Sequence, residues 1–142
     1  MIVNIEFLDV EPIENLVTCL NYKVDKVVFF GYEDVIIKSR EHTERFLKRY
    51  CNVGQVEFIT MSNTNLDEIM ENMSAVIEKE QSAGNQVFFD VTGGEGLMLL
   101  AFGALAKEKK LPLHMFDIES GWLYELNREM KPTLSESAKK CH

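Results

Sequence analysis

The stretch VFFDVTGGEGLMLLAFGALAKEKK, from Val87 to Lys110, decides the fold. An apolar run ends at Asp90, the chain passes through Thr-Gly-Gly-Glu-Gly, and a second apolar segment follows that is closed by lysines. The first run has the length of a buried strand and the second has the length of a helix. The pattern therefore predicts a strand, a glycine turn and a buried helix, in that order.

The same order of strand and helix repeats along the chain before this stretch. Apolar runs at 3–8, 27–30 and 56–60 predict three more strands, and helical spacing predicts helices at 13–20, at 39–50 and from 66 to a stop at 82–85. After the stretch, strands at 113–118 and 122–126 are joined by a short link containing Gly121, which predicts an antiparallel hairpin. The predicted fold class is α/β: a Rossmann-like three-layer sandwich with a mostly parallel sheet and a C-terminal antiparallel hairpin.

Length and composition are those of one globular domain. The chain has 142 residues, 46% hydrophobic and 27% charged, which argues against a disordered chain. No apolar run approaches the roughly 20 residues that cross a bilayer, so no membrane partner is expected. The N-terminus has no basic region ahead of its apolar stretch, so we expect no secretory signal and a cytoplasmic protein.

The net charge and the spacing of the cysteines restrict the classes of ligand and partner that the chain is expected to bind. A net charge of −8 argues against binding to duplex nucleic acid, which needs a basic surface, but it leaves room for a small anion held by backbone amides. The three cysteines, Cys19, Cys51 and Cys141, are widely spaced, and the three histidines are scattered. Neither a disulfide framework nor a metal site is expected, and no cofactor is predicted.

The glycine turn has the features of an anion site. Gly93 and Gly94 allow a ligand to approach the backbone closely, and Thr92 is predicted to cap the following helix. Amides at a helix N-terminus would then face an oxyanion, most naturally a phosphodiester. The alternative is a tight turn with an ordinary cap and no ligand. The stretch fits neither GxGxxG nor GxxxxGK[ST], which argues against nicotinamide binding and ATP hydrolysis.

Other candidates follow the remaining strands, because ligands bind at the carboxyl ends of parallel strands. Tyr32 could stack on a base, and Asp9 and Glu11 could accept hydrogen bonds from ribose or adenine, although exposed loop residues are the alternative for all three. Asp117 and Glu119 could form a Mg²⁺ site together with Asp90. We favour a different role for Asp90, which is to fix the turn by accepting bonds from backbone amides.

The nine residues DVTGGEGLM, Asp90 to Met98, resemble the central motif of the CARF family, the CRISPR-associated Rossmann-fold sensor domains. That motif is written Asn/Asp-x-Ser/Thr-Gly-Gly-Thr-Lys-x-Met, and this chain has Glu95-Gly96 in place of Thr-Lys. The order of elements also resembles the family over nearly the whole chain, most closely the N-terminal sensor domain of CARF–nuclease effectors. The resemblance implies a dimer that binds a cyclic oligoadenylate, often the tetramer, across its two-fold axis.

The helix after the turn, Leu97–Ala106, is apolar nearly all round and contains Gly103. Such a helix must be buried on several sides, either within the monomer or partly against a twin helix. The resemblance places it near the dimer seam, so we expect a homodimer through this helix.

These observations give one leading hypothesis and two alternatives. Residues 1–130 are expected to form a CARF-like ligand-sensing domain that binds a cyclic oligoadenylate, with 131–142 as a polar, disordered tail. The alternatives are a metal-independent ring nuclease, whose catalytic residues the sequence does not identify, and a dimerisation module without ligand. The expected ligand-binding set is Asp9, Glu11, Tyr32, Asp90, Thr92, Gly93, Gly94, Glu95 and Gly96.

Overall fold

Strands and helices alternate as predicted in the computed structural model, which describes residues 1–61 and 65–134. The described elements, in chain order, are β1 (Ile2–Phe7), α1 (Ile13–Asn21), β2 (Lys26–Gly31), α2 (Glu33–Tyr50), β3 (Gln55–Thr60), α3 (Leu66–Ser82), β4 (Gln86–Asp90), α4 (Gly96–Lys109), β5 (Leu113–Asp117), β6 (Trp122–Leu126) and β7 (Pro132–Leu134).

One sheet holds all seven described strands in the order β3-β2-β1-β4-β5-β6-β7. The strands from β3 to β5 pair in parallel, whereas β5 with β6 and β6 with β7 pair antiparallel. The predicted α/β class with a C-terminal antiparallel hairpin is confirmed. The chain runs outward from β1 through β2 to β3 and then returns to place β4 on the other side of β1. The strand order therefore reverses between β1 and β4, which is where α/β sheets bind ligands.

The sheet is covered on both faces, which makes the three predicted layers. Residues of α1 and α2, such as Leu16 and Leu47, pack with Phe29 of β2 in one core. Residues of α3 and α4, such as Met73 and Phe102, lie in the other. Every residue of β2 is buried, as expected for a strand covered on both faces. No helix in the described part of the chain is long and apolar enough to cross a membrane.

Two boundaries differ from the sequence prediction. Helix α2 begins at Glu33 rather than at residue 39, because Glu33 and Asp34 place negative charge in the first turn, where the helix dipole favours it. The predicted tail from Lys131 onward also begins differently. Pro132–Leu134 forms β7, which pairs with β6 because that strand otherwise presents an open edge. The rest of the predicted tail and residues 62–64 lie outside the described residues.

Four polar residues lie buried among the apolar ones of β1, β4 and β5. Asn4 and Glu6 are on β1, Asp90 ends β4, and His114 is on β5; each is at most 1% exposed. Strand register places Glu6 beside Asp90 and Asp90 beside His114. Buried polar groups are costly unless they are hydrogen-bonded, so the contacts of this polar row beneath the glycine turn bear directly on stability.

Candidate functional site

The loops that follow β1 and β4 meet at the point where the strand order reverses. Asp9, two residues beyond β1, accepts a hydrogen bond through Oδ2 from the backbone N–H of Gly94 at 2.8 Å. The loop after β1 is itself fixed, because Asn15 of α1 accepts from the N–H of Asp9 at 2.9 Å and donates to the carbonyl oxygen of Phe7 at 2.7 Å. The structure thus brings Asp9 into direct contact with the turn.

Asp90 and Thr92 form the base of the turn. Oδ1 of Asp90 accepts from the backbone N–H of Thr92 at 2.9 Å and from the Thr92 hydroxyl at 2.6 Å. The same hydroxyl oxygen accepts from the N–H of Phe116 at 2.8 Å and lies 3.3 Å from the hydroxyl of Thr18. The prediction that Asp90 fixes the turn through a backbone amide is confirmed, and these bonds tie the turn to β5.

The predicted capping role of Thr92 is wrong, and the prediction that amides of the turn face an oxyanion needs correction for two of them. Glu95 is the N-cap residue of α4, with no side-chain capping bond, and the hydroxyl of Thr92 is instead engaged by Asp90 and Phe116. The amides of Thr92 and Gly94 already donate to carboxylates of the protein itself. These two amides are therefore not free to bind an anion, because Asp90 and Asp9 already accept their hydrogen bonds.

Glycine is required at two positions of the turn for different reasons. A Cβ on Gly93 would fall on Oδ2 of Asp9, well inside contact distance. Gly94 has φ +119°, a conformation that side chains rarely adopt, and a Cβ there would meet Cδ2 of Leu99 at 3.1 Å. Close packing by the protein's own Asp9, in addition to any ligand, explains why the first glycine has no side chain.

The first turn of α4 supplies the remaining amide donors. The N–H groups of Gly96, Leu97 and Met98 have no carbonyl four residues earlier within the helix, as at every helix start. Gly96 is exposed, and a Cβ added there would meet no heavy atom within 4 Å. The open part of the site is therefore the space in front of Gly96, beside the closed turn.

Glu95 is held by Tyr32 from the loop after β2. The phenol of Tyr32 donates a hydrogen bond to Oε1 of Glu95, and its ring packs edge-on against Phe7 with centroids 5.4 Å apart. Burial, followed by the hydrogen bond to Glu95 and the charge of Glu95, raises the pKa of Tyr32 to about 12. The phenol therefore stays protonated, and it joins the loop after β2 to the start of α4. Glu11, the remaining member of the predicted set, is exposed in the loop before α1.

The site is acidic, and four cations that could in principle offset the charge of Glu95, namely Lys38, Arg40, Lys107 and Lys109, are given no contact with it by the structure. Arg40 lies over the ring of Phe58 at 5.2 Å, and Lys109 forms an ion pair with Glu78 at 3.5 Å. Lys107 lies eleven residues after Gly96 on α4, which corresponds to about 16 Å along the helix. Lys38 is exposed on α2. Among the residues that the structure describes, the Glu95 carboxylate is held by the hydrogen bond from Tyr32 rather than by an ion pair.

A small polar cavity of about 250 Å³ opens beside Thr92 and is lined by Glu14, Asp117 and Glu119 together with residues of β5. Asp117 belongs to the β5–β6 hairpin, where it accepts from the N–H of Glu119 at 3.2 Å and from the Ser120 hydroxyl at 2.7 Å. Within residues 1–61 and 65–134, no three His, Cys, Asp or Glu side chains are grouped so that they could hold a metal ion. The predicted Mg²⁺ alternative of Asp90, Asp117 and Glu119 therefore has no support in this geometry.

Glu6 is a residue of the site that the sequence analysis did not identify. Burial, and then the charge of Asp90 and the hydrogen bond with it, raise the pKa of Glu6 well above its usual value, which favours the protonated form of Glu6. In its protonated form, Glu6 can donate a hydrogen bond to Asp90. Such a bond would pair two buried oxygens, Glu6 Oε1 and Asp90 Oδ2, that otherwise have no hydrogen-bond partner. Asn4 donates to the other oxygen of Glu6 at 2.6 Å. Asn4 and Glu6 are two residues apart in an apolar strand, so their side chains lie on the same face of the sheet. This spacing was the signal in the sequence for a polar network on that face.

Solved structures share this fold, although no protein-family model and no curated protein matches the sequence. Protein VC1899 from Vibrio cholerae matches 95% of this chain with a TM-score of 0.79 and 16% identity. Can2 from Sulfobacillus thermosulfidooxidans, in complex with cyclic tetra-adenylate, matches 98% with a TM-score of 0.73 and 14% identity. A type III CRISPR defence DNA nuclease activated by cyclic oligoadenylate matches 92% with a TM-score of 0.69 and 16% identity.

This chain spans only 35%, 39% and 20% of the lengths of those three chains, respectively. Identities this low establish the fold alone. They do so over almost the whole of the chain. The motif Asp90–Met98 resembles that of CARF domains of CRISPR type III proteins. At the level of the fold, this resemblance is confirmed.

Proposed function

We propose that this chain is a sensor domain that binds a cyclic oligoadenylate, the tetramer in particular, as a homodimer. The observation that carries the proposal is the start of α4 beside the reversal of strand order, where the first-turn N–H groups have no partner within the helix and the space in front of Gly96 is open. This arrangement belongs to a fold that the chain shares over 98% of its length with Can2, whose structure contains cyclic tetra-adenylate.

The chemistry of the site fits a ligand with both phosphates and hydrogen-bond donors. Backbone amides at the start of α4 offer donors and positive partial charge to a phosphodiester. The carboxylates beside the turn, Asp9 and Glu14, would accept from ribose hydroxyls or from the amino group of adenine. A purely phosphate ligand would be repelled by these carboxylates, so a nucleotide that places its phosphates near Gly96 is favoured.

Calorimetric titration with cyclic tri-, tetra- and hexa-adenylate tests the assignment. We expect heat from cyclic tetra-adenylate, with one ring bound per two chains. The same samples are analysed for linear products, whose appearance would assign the ring-nuclease activity. Absence of heat and of a thermal shift with all three rings would overturn the sensor proposal and leave a dimerisation module.

Substitutions at Gly96 test whether the phosphates lie in front of α4. A side chain fits there without a clash, and the CARF motif has lysine at this position. We expect Gly96→Lys to tighten binding of cyclic tetra-adenylate by about tenfold, because a unit charge about 4 Å away contributes about 1 kcal/mol in water and more in a partly buried site. The matched variant Gly96→Asp should weaken binding by a similar factor. Equal affinities of the two variants would place the phosphates elsewhere.

An apolar surface on the α4 face of the sheet is suited to a second copy of the chain. Leu100 is 59% exposed on α4, and Gly103, one turn further along, has open space in front of it. On the neighbouring strands β5 and β6, Met115 and Tyr124 are about 40% exposed beside an apolar groove. Two copies related by a two-fold axis would cover both parts of this surface and bring two glycine turns together.

The variant Leu100→Arg is expected to weaken this dimer by about 100-fold or more, because it would bury a charge without a partner between the two helices. Sedimentation velocity should show dimers for the wild type and monomers for the variant, with unchanged far-UV circular dichroism. Ile37→Arg is the control, since Ile37 is 74% exposed on α2, which covers the opposite face of the sheet. A Leu100→Arg protein that remains dimeric would exclude this surface as the interface.

A further inference from the structure

Asp9 occupies a position in the turn that an anionic ligand would be expected to take. Its Oδ2 lies 2.8 Å from the N–H of Gly94 and fills the space in front of Gly93. A backbone amide in a glycine turn beside a helix N-terminus is a typical donor for a phosphate oxygen. The carboxylate of Asp9 has the same charge sign and the same acceptor geometry. The protein therefore binds its own anion at this amide.

Other charges around Asp9 do not stabilise its carboxylate. The charged groups that face it are Glu14 on α1 and Glu95 at the start of α4, and both are carboxylates. Burial is the largest influence and raises the pKa of Asp9, the bond from Gly94 opposes that change, and the two glutamates add to it. The bond to Gly94 thus holds a carboxylate in place against repulsion from its surroundings.

We propose that Asp9 is an internal competitor for the ligand, which sets the affinity of the site and makes it dependent on pH. The inference rests on the proposed function and adds a specific consequence. A ligand phosphate that reaches the N–H of Gly94 must displace the Asp9 carboxylate or bind when that carboxylate is protonated. Protonation of Asp9 removes the charge that competes for this amide, so affinity rises as pH falls.

Asp9→Asn separates the charge of the side chain from its structural role. The amide oxygen of asparagine can still accept from the N–H of Gly94, and the side chain has nearly the same size. We expect the variant to bind cyclic tetra-adenylate about tenfold more tightly than the wild type at about pH 8, with a smaller difference at about pH 5. The wild type should show the steeper dependence of affinity on pH. Glu71→Gln is the control, because it makes the same charge change at an exposed position on α3.

A second measurement needs no ligand. The amide of Gly94 should shift with pH in ¹H–¹⁵N spectra as Asp9 titrates, and this shift should disappear in Asp9→Asn. The Gly94 amide should also be the one most perturbed when cyclic tetra-adenylate is added.

The outcomes distinguish this inference from the proposed function. Binding by Asp9→Asn alone, or tighter binding by it with a weaker pH dependence, supports the inference. Equal binding by wild type and variant at both pH values overturns the inference and leaves the sensor function standing. Failure of both proteins to bind at both pH values overturns the sensor function, and the inference with it.

Discussion

Replacing Asp90 with alanine is expected to lower the free energy of unfolding by about 3 kcal/mol and to abolish ligand binding. The substitution removes the acceptor for both the backbone amide and the hydroxyl of Thr92. It also leaves the protonated carboxyl group of Glu6 without its partner. This region is buried, since Asp90 itself is only 1% exposed. A buried polar group that loses its partner costs more than an average hydrogen bond contributes, because water cannot replace the partner.

Urea denaturation measures the loss of stability, and Asp90→Asn is the matched variant. Asparagine keeps an oxygen that can accept from Thr92 and adds an amide that can donate to Glu6, so most of the network can form. We expect Asp90→Asn to retain the fold and at least part of the binding. An alanine variant as stable as the asparagine variant would mean that Asp90 does not hold the turn.

Local patterns were sufficient to predict the scaffold of this site. Apolar runs and helical spacing depend on neighbours in the sequence, so they placed β4, the turn and α4 nearly where the structure has them. The role of Asp90 was also predictable, because an aspartate before a turn commonly accepts from an amide two residues later. These interactions span only a few residues.

Contacts between distant segments were not predictable from the same patterns. The bond between Asp9 and Gly94 joins residues 85 apart, and Tyr32 reaches Glu95 across 63 residues. The sequence alone does not distinguish whether glycine at position 93 makes room for a ligand or for a carboxylate of the protein itself. The position of the turn was therefore predicted correctly, but the protein's own acceptor at the Gly94 amide became visible only when β1 and β4 were adjacent.

The raised pKa of Glu6 leads to a second large effect, on stability as a function of pH. Folding raises the pKa of Glu6, chiefly through burial and then through Asp90. Below the unfolded pKa, near 4.5, both states hold the proton and the full contribution to stability is present. As pH rises above that value, the unfolded chain releases the proton while the folded chain keeps it. Stability should then fall by about 1.4 kcal/mol per pH unit until the folded pKa is reached.

Glu6→Gln is expected to remove this dependence. Glutamine cannot lose a proton in this range, and it can donate to Asp90 and accept from Asn4 as the protonated acid does. The difference in unfolding free energy between variant and wild type should therefore grow in favour of the variant as pH rises above about 4.5, by up to about 1.4 kcal/mol per unit. Urea denaturation at a series of pH values measures this difference directly.

The comparison must be made as a difference because other buried groups titrate in the same range. Burial lowers the pKa of His114, so its contribution to stability is lost as pH falls, opposite in sign to that of Glu6. Asp9 has a raised pKa and contributes with the same sign as Glu6. Both are present in wild type and in Glu6→Gln, and they cancel in the difference to the extent that they are independent of Glu6. Parallel stability curves for the two proteins would show that no proton is held between Glu6 and Asp90, and that two negative charges lie side by side beneath the turn.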